Sequence, residues 1–171
     1  MVKRLLPVLA FVLAAAVSAF AAEELGAQLP NPLKNVKPGQ WARYRVNTLF
    51  GVAEQKQTIV DVEGDGDDRH ITIKTEMSLD DEVVDAREEA TTYRKLLDEQ
   101  AAALDEVENA SAAPCETTLA GTTVSAVAVT YTQDGQKYTL FLSEIVPLAG
   151  VIRLEAEDAE EPVVEIIDFG D

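Results

Sequence analysis

His70 and Cys115 are the only histidine and the only cysteine in the chain. Nucleophilic chemistry would therefore run through a Cys115 thiolate with the His70 imidazole as its base. Neither residue sits in a recognisable signature, whether the sharp strand-to-helix turn that presents a nucleophile or a cysteine-protease motif. Adjacent carboxylates, as at Asp80-Asp81, Glu88-Glu89 and Glu160-Glu161, could serve glycoside hydrolysis if two of them shared a cleft with separated acidities. With 31 acids in 171 residues, such pairs arise from composition alone and read as solvated turns. Asp61, Glu63, Asp65 and Gly66 match the first half of a calcium-binding loop. The ninth position is then Arg69 and the twelfth Thr72, where a bidentate glutamate is needed. An Asp/Gly-rich hairpin loop accounts for the same residues. The sequence contains no Gly-rich phosphate loop and no metalloprotease helix. The expectation is a protein that is not an enzyme, with no catalytic residue, no metal and no cofactor.

The charge balance restricts partners. Lysine and arginine number 14 against 31 acids, a formal net charge of −17. Such a surface repels nucleic acid and anionic headgroups and keeps copies apart. Lys3 and Arg4 precede an apolar run from Leu5 to Val17, and Ala19-Phe20-Ala21 places small residues at the two positions a signal peptidase reads. Residues 1–21 are thus expected to be a signal peptide cleaved after Ala21, which makes the protein periplasmic or secreted with no stable membrane span. Loss of Lys3 and Arg4 takes the net charge to about −19. One cysteine excludes an intrachain disulfide.

Most of the remaining chain alternates apolar and polar residues at the period of a β-strand. Residues 22–39, with Pro30, Pro32 and Pro38, read as an extended N-terminal arm, and 40–171 as a single antiparallel β domain. Trp41 to Val46 alternates. After a turn at Phe50-Gly51, residues 57–63 place Thr58, Val60 and Val62 on one side. Beyond the Gly64–Asp68 loop, Ile71, Ile73, Thr75 and Met77 share a face. Asp80-Asp81, Ala120-Gly121 and Asp134-Gly135 are turn signals. Residues 82–93 suit a strand, although Val83, Ala86, Ala90, Tyr93 and Leu97 also fit a heptad, so one long helix over 82–108 is the alternative. The strand is favoured, followed by one helix over about 94–109 capped by Thr91 or Thr92. Arg94 and Lys95 at its start and Glu106 and Glu108 at its end oppose the helix dipole. Further strands are predicted at 115–119, 122–132, 137–143, 151–155 and 163–169. In the 122–132 strand the face carrying Ala126 and Ala128 is small, leaving room for the helix or for an apolar ligand. The fold class is α+β, mostly β: a single curved, half-barrel-like antiparallel sheet with one inserted helix.

Ser143-Glu144-Ile145-Val146-Pro147-Leu148-Ala149-Gly150 and the closing Phe169-Gly170 resemble uncharacterised exported bacterial proteins with a Ser-acid-x-Val-Pro-x-x-Gly loop and a terminal Phe-Gly. Those are similar to the lipoprotein-carrier, LolA-like half-barrels. Pro30, Pro32 and Pro38 stand where the carriers have an amphipathic helix. The resemblance implies an envelope protein that holds an apolar ligand such as a lipid between sheet and helix, and Tyr44, Val60, Ile73, Val127, Tyr138, Leu140 and Ile152 are the expected lining. The other reading is an envelope module that binds a protein through an exposed sheet edge, with no small ligand.

Overall fold

Among the described residues, alternation of β-branched and aromatic residues with polar ones produces nine strands, and three of the tight connections between them are set by residues that accept positive φ. Asp80 and Asp81 (φ 50° and 66°), Ala120 and Gly121 (49° and 80°), and Asp134 and Gly135 (51° and 78°) each form a two-residue turn. Positive φ at both positions matches the twist of the flanking strands. The computed structural model describes residues 29–48, 51–104 and 107–171. The expected signal peptide, the start of the arm and the turn residue Phe50 lie outside the described residues.

The strands are β1 (Trp41–Thr48), β2 (Gly51–Glu63), β3 (His70–Leu79), β4 (Glu82–Thr92), β5 (Glu108–Leu119), β6 (Thr122–Gln133), β7 (Gln136–Leu142), β8 (Val151–Ala156) and β9 (Val164–Gly170); among the described residues one α-helix, α1 (Tyr93–Leu104), lies between β4 and β5. The strands form one open, curved antiparallel sheet in the order β4-β3-β2-β1-β9-β8-β7-β6-β5. The first four strands meander outward to one edge. The chain then passes through α1 to the far edge and meanders back until β9 pairs with β1, Trp41 opposite Gly170. The strand order is cyclic, broken only between β4 and β5.

The predicted α+β class, with a single antiparallel sheet and one helix, is what forms. The strand reading of 82–93 holds to within one residue, β4 ending at Thr92 and α1 starting at Tyr93, and Thr92 caps α1 by accepting a hydrogen bond from the Lys95 amide at 3.1 Å. Three boundaries move. β2 begins at Gly51, well before the predicted residue 57. The helix ends before the predicted residue 109, because Glu108 already opens β5. That strand runs through Ala110–Pro114, a stretch whose small residues and proline suggest a helix terminator. Proline is tolerated because β5 is an edge strand with nothing to donate to on one side.

One face of the sheet is the core. Ala42, Tyr44 and Val46 of β1, Ile59 of β2, Ile71 of β3, Val129 and Tyr131 of β6, Leu140 of β7 and Val164 of β9 are buried there. Over them pack Leu33 and Val36 of the N-terminal segment, Val146, Leu148 and Ala149 of the β7–β8 loop, and Tyr93, Leu96 and Leu97 of α1. The N-terminal segment is not merely extended: Pro32–Asn35 is a turn of 3₁₀ helix that buries Leu33. The other face is solvated. There Arg43 lies between Glu54 and Asp168 at 3.8 and 3.7 Å, and Arg45 meets Glu165 at 3.8 Å. Exposed pairs of this kind contribute at most about 1 kcal/mol each.

Candidate functional site

Among the described residues, no cleft brings the sequence-predicted lining residues together: of the seven, only Val127 lines one. Tyr44, Leu140 and Ile152 are fully buried in the packed core. Ile73, Val127 and Tyr138 are half-buried against it, and Tyr138 stacks on Tyr131 with ring centroids 5.5 Å apart. Val60 lies elsewhere, 42 % exposed. The cause is a bulge: Ile59 pairs with Ile73 and Asp61 with Thr72, so Val60 is an extra residue. Ile59 and Val62 then turn inward in place of the predicted Thr58-Val60-Val62 set, since one inserted residue reverses the facing of the strand.

The small residues of β6 also have a different neighbour from either one expected. Ala128 is opposite Phe141 on the solvated face, and the Arg153 guanidinium lies 4.3 Å from the Phe141 ring centroid. Val127 and Ala126 line a shallow cleft of about 370 Å³ with Leu29, Pro30 and Ser143. A larger cleft, about 570 Å³, lies between the N-terminal segment, Glu144–Pro147 and the end of β9. Its walls carry Asn31, Lys34, Gln40, Glu144 and Asp171, a polar lining unlike an acyl-chain pocket.

The groups singled out for chemistry stay apart. His70 opens β3, exposed, next to the edge strand β4, whereas Cys115 is on β5 at the opposite edge. Among the described residues no hydrogen bond joins them, and no group of three His, Cys, Asp or Glu side chains could hold a metal ion. The calcium-like loop is met by side-chain cations instead. Arg94 bonds Asp68 at 3.1 Å and lies 3.9 Å from Asp67. The hydrogen bond to Asp68 and the two carboxylates raise the Arg94 pKa above its ordinary value, and they offset the unfavourable placement of a cation at a helix N-terminus.

Arg69, the residue that spoils the calcium pattern, is the centre of a latch. Its guanidinium donates to the carbonyls of Leu33 at 2.6 Å, Lys34 at 3.1 Å and Gly66 at 3.0 Å. The same group lies 3.9 Å from the Tyr93 ring centroid, and the Tyr93 hydroxyl accepts from Asn31 Nδ2 at 2.7 Å. N-terminal segment, β2–β3 loop and helix start are tied at one point. An arginine inside an acidic, Gly-rich loop is the only hint of this in the sequence.

Two features remain available for binding. Inside the core, Tyr44 Oη and Gln55 Oε1 are buried without hydrogen-bond partners, on register-paired residues of β1 and β2. At the sheet's edge, residues 82–90 of β4 are exposed apart from the half-exposed Asp85, with Val83 at 60 % and Val84 at 40 %. No helix among the described residues is long and apolar enough to cross a membrane. Compared with known proteins, the chain matches no protein-family model, no curated protein and no solved structure.

Proposed function

We propose that this chain is an exported, non-enzymatic binding protein of the bacterial cell envelope that engages another protein through a free sheet edge. The observation that carries this reading is β4, an eleven-residue strand at the end of the sheet with almost every side chain exposed. A strand in that position presents unpaired backbone donors and acceptors, which is the chemistry of β-strand addition. The fully buried state of Tyr44, Ile59, Ile71, Val129 and Leu140 favours this over cargo on the inner face. Photo-crosslinkers placed at Arg87 on β4 and at Arg45 in the sheet centre, in cells, test it. A protein adduct at 87 and none at 45 is expected. Equal labelling at both positions refutes edge binding. N-terminal sequencing of the purified protein tests export, with Ala22 expected first.

A second reading rests on the orphaned Tyr44 hydroxyl and Gln55 carbonyl. A buried polar atom without a partner costs about 1–3 kcal/mol, and the polar end of an apolar ligand or a buried water would satisfy both. This is the LolA-like expectation, with Tyr44, Ile73, Val127, Tyr138, Leu140 and Ile152 repacking round a lipid. Native mass spectrometry of protein isolated from its own envelope decides it: a co-purifying lipid supports cargo, and bare protein refutes it.

A further inference from the structure

We infer that the occupant of the β4 edge is a basic, extended polypeptide segment, added to the sheet as a tenth strand. This rests on the edge-binding reading above and names its partner's chemistry. The two edges are not equivalent. β5 carries Pro114, and its register with β6 slips between Glu108 and Ser111, where Asn109 has φ 55°. Proline and irregularities are the devices that stop an edge from pairing. β4 also slips once, at Val84 beside its hairpin, but it has no proline or glycine and pairs with β3 in unbroken register from Asp85 to Thr92, whereas Pro114 lies in the middle of the regular part of β5. Its free side is therefore regular over eight residues.

Charge decides between a second copy and a different partner. β4 holds four acids, Glu82, Asp85, Glu88 and Glu89, against the single base Arg87. Two such strands brought side by side repel, as do two chains each of net charge −17. The same charges that exclude a copy attract a cationic strand, so one set of residues selects and rejects. Glu88 is opposite Lys74 across β3, but the Lys74 ammonium is held by Glu76 at 2.8 Å. Glu88 has no ion pair among the described residues and faces outward on one side of the sheet. Asp85 and Glu89 have the opposite parity. A partner with Lys or Arg on both faces would meet Glu88 on one and Asp85 with Glu89 on the other, while the exposed Val83 and Val84 offer apolar contact at the hairpin end.

Ten-residue probe peptides test this on the full processed chain: a Lys-Val peptide of repeating Lys-Lys-Val-Val, which puts lysines on both faces of a strand, Thr-Val and Glu-Val peptides of the same pattern, and a Lys-Val peptide of equal charge interrupted by proline. Binding is read by fluorescence anisotropy and its location by amide hydrogen exchange. The Lys-Val peptide is expected to bind about tenfold more tightly than Thr-Val, the combined effect of three opposite-charge cross-strand contacts, and to slow exchange in residues 85–92. Glu88→Lys with Glu89→Lys, both exposed, should remove about that factor without altering the far-ultraviolet circular dichroism. If Thr-Val slows β4 exchange as strongly as Lys-Val, the basic partner is refuted while edge binding stands. If Lys-Val binds without slowing β4, or the proline-interrupted peptide binds equally, the attraction is general electrostatics and the inference falls. Protection at β5 instead of β4 overturns the choice of edge.

Discussion

Replacing Arg69 with alanine removes a side chain that ties the N-terminal segment both to the β2–β3 loop and to α1. The strongest interaction removed is the 2.6 Å bond to the partly buried Leu33 carbonyl, and charged hydrogen bonds contribute about 1.5–3 kcal/mol. The bonds to Lys34 and Gly66 are exposed and add little. The approach to the Tyr93 ring is worth about 0.5–1 kcal/mol at a site open to water. Release of the immobilised side chain returns about 1–2 kcal/mol of conformational entropy. The net loss centres on about 1.5 kcal/mol and reaches about 3 at most, or roughly 4–10 °C in melting temperature for a domain of this size. Arg69→Lys places one point charge where a planar fork reached three carbonyls, and should lose about half as much. Urea unfolding of wild type, Arg69→Ala, Arg69→Lys, Tyr93→Phe and the Arg69→Ala/Tyr93→Phe pair gives the energies, and hydrogen exchange gives the location. Faster exchange is expected in 31–36 and at the start of α1. The latch argument is refuted if Arg69→Ala costs under about 0.5 kcal/mol, the level of an ordinary surface change, or if exchange rises evenly over the sheet.

Other substitutions probe separate parts of the reasoning. Tyr44→Phe removes a buried hydroxyl that has no partner and should stabilise the protein by about 1 kcal/mol; a destabilisation in urea unfolding would mean that something satisfies it. Thr92→Ala should cost about 1 kcal/mol by uncapping the Lys95 amide, read as a lower urea midpoint. A methyl group at Gly150 (φ 70°) would lie 2.9 Å from Pro32 Cγ and 3.1 Å from the Ser143 carbonyl, so Gly150→Ala should cost about 2 kcal/mol or more, checked by thermal melting. Burial pushes Tyr131 from the ordinary 10.0 up to about 12 and raises Tyr44 as well. Both groups are neutral when protonated. Their contribution to stability is complete below about pH 10; that of Tyr131 disappears as pH rises through its folded value near 12, and that of Tyr44 later still. Tyrosinate absorbance at 295 nm should therefore show a late fraction that ionises together with unfolding; full ionisation by pH 11 in a still-folded protein contradicts this.

Strands with clean alternation and two-residue turns are legible from sequence because each signal is local. Ile71, Ile73 and Met77 face as expected, and Asp134-Gly135 turns where expected. What is not legible depends on partners distant in sequence. The bulge at Val60 is invisible until β3 supplies the register, and it displaces one expected lining residue. Ala110–Pro114 resembles a helix terminator until its place at a sheet edge removes the objection to proline. Of the features that matter for binding, the strand reading of 82–93 is in the sequence, but not that it forms an edge. Arg69 stands out in the sequence only as the residue that breaks a metal pattern.

Pairing β1 with β9 has a consequence for assembly. In a chain made from its N-terminus, the first four strands can stack on one another early, yet the seam at the middle of the sheet must wait for the last of the nine. Until it is sewn, the two flanks are separate hairpin stacks, each with its apolar side open. Under the export proposed above, this ordering keeps the chain from completing its fold while its tail is still behind the membrane.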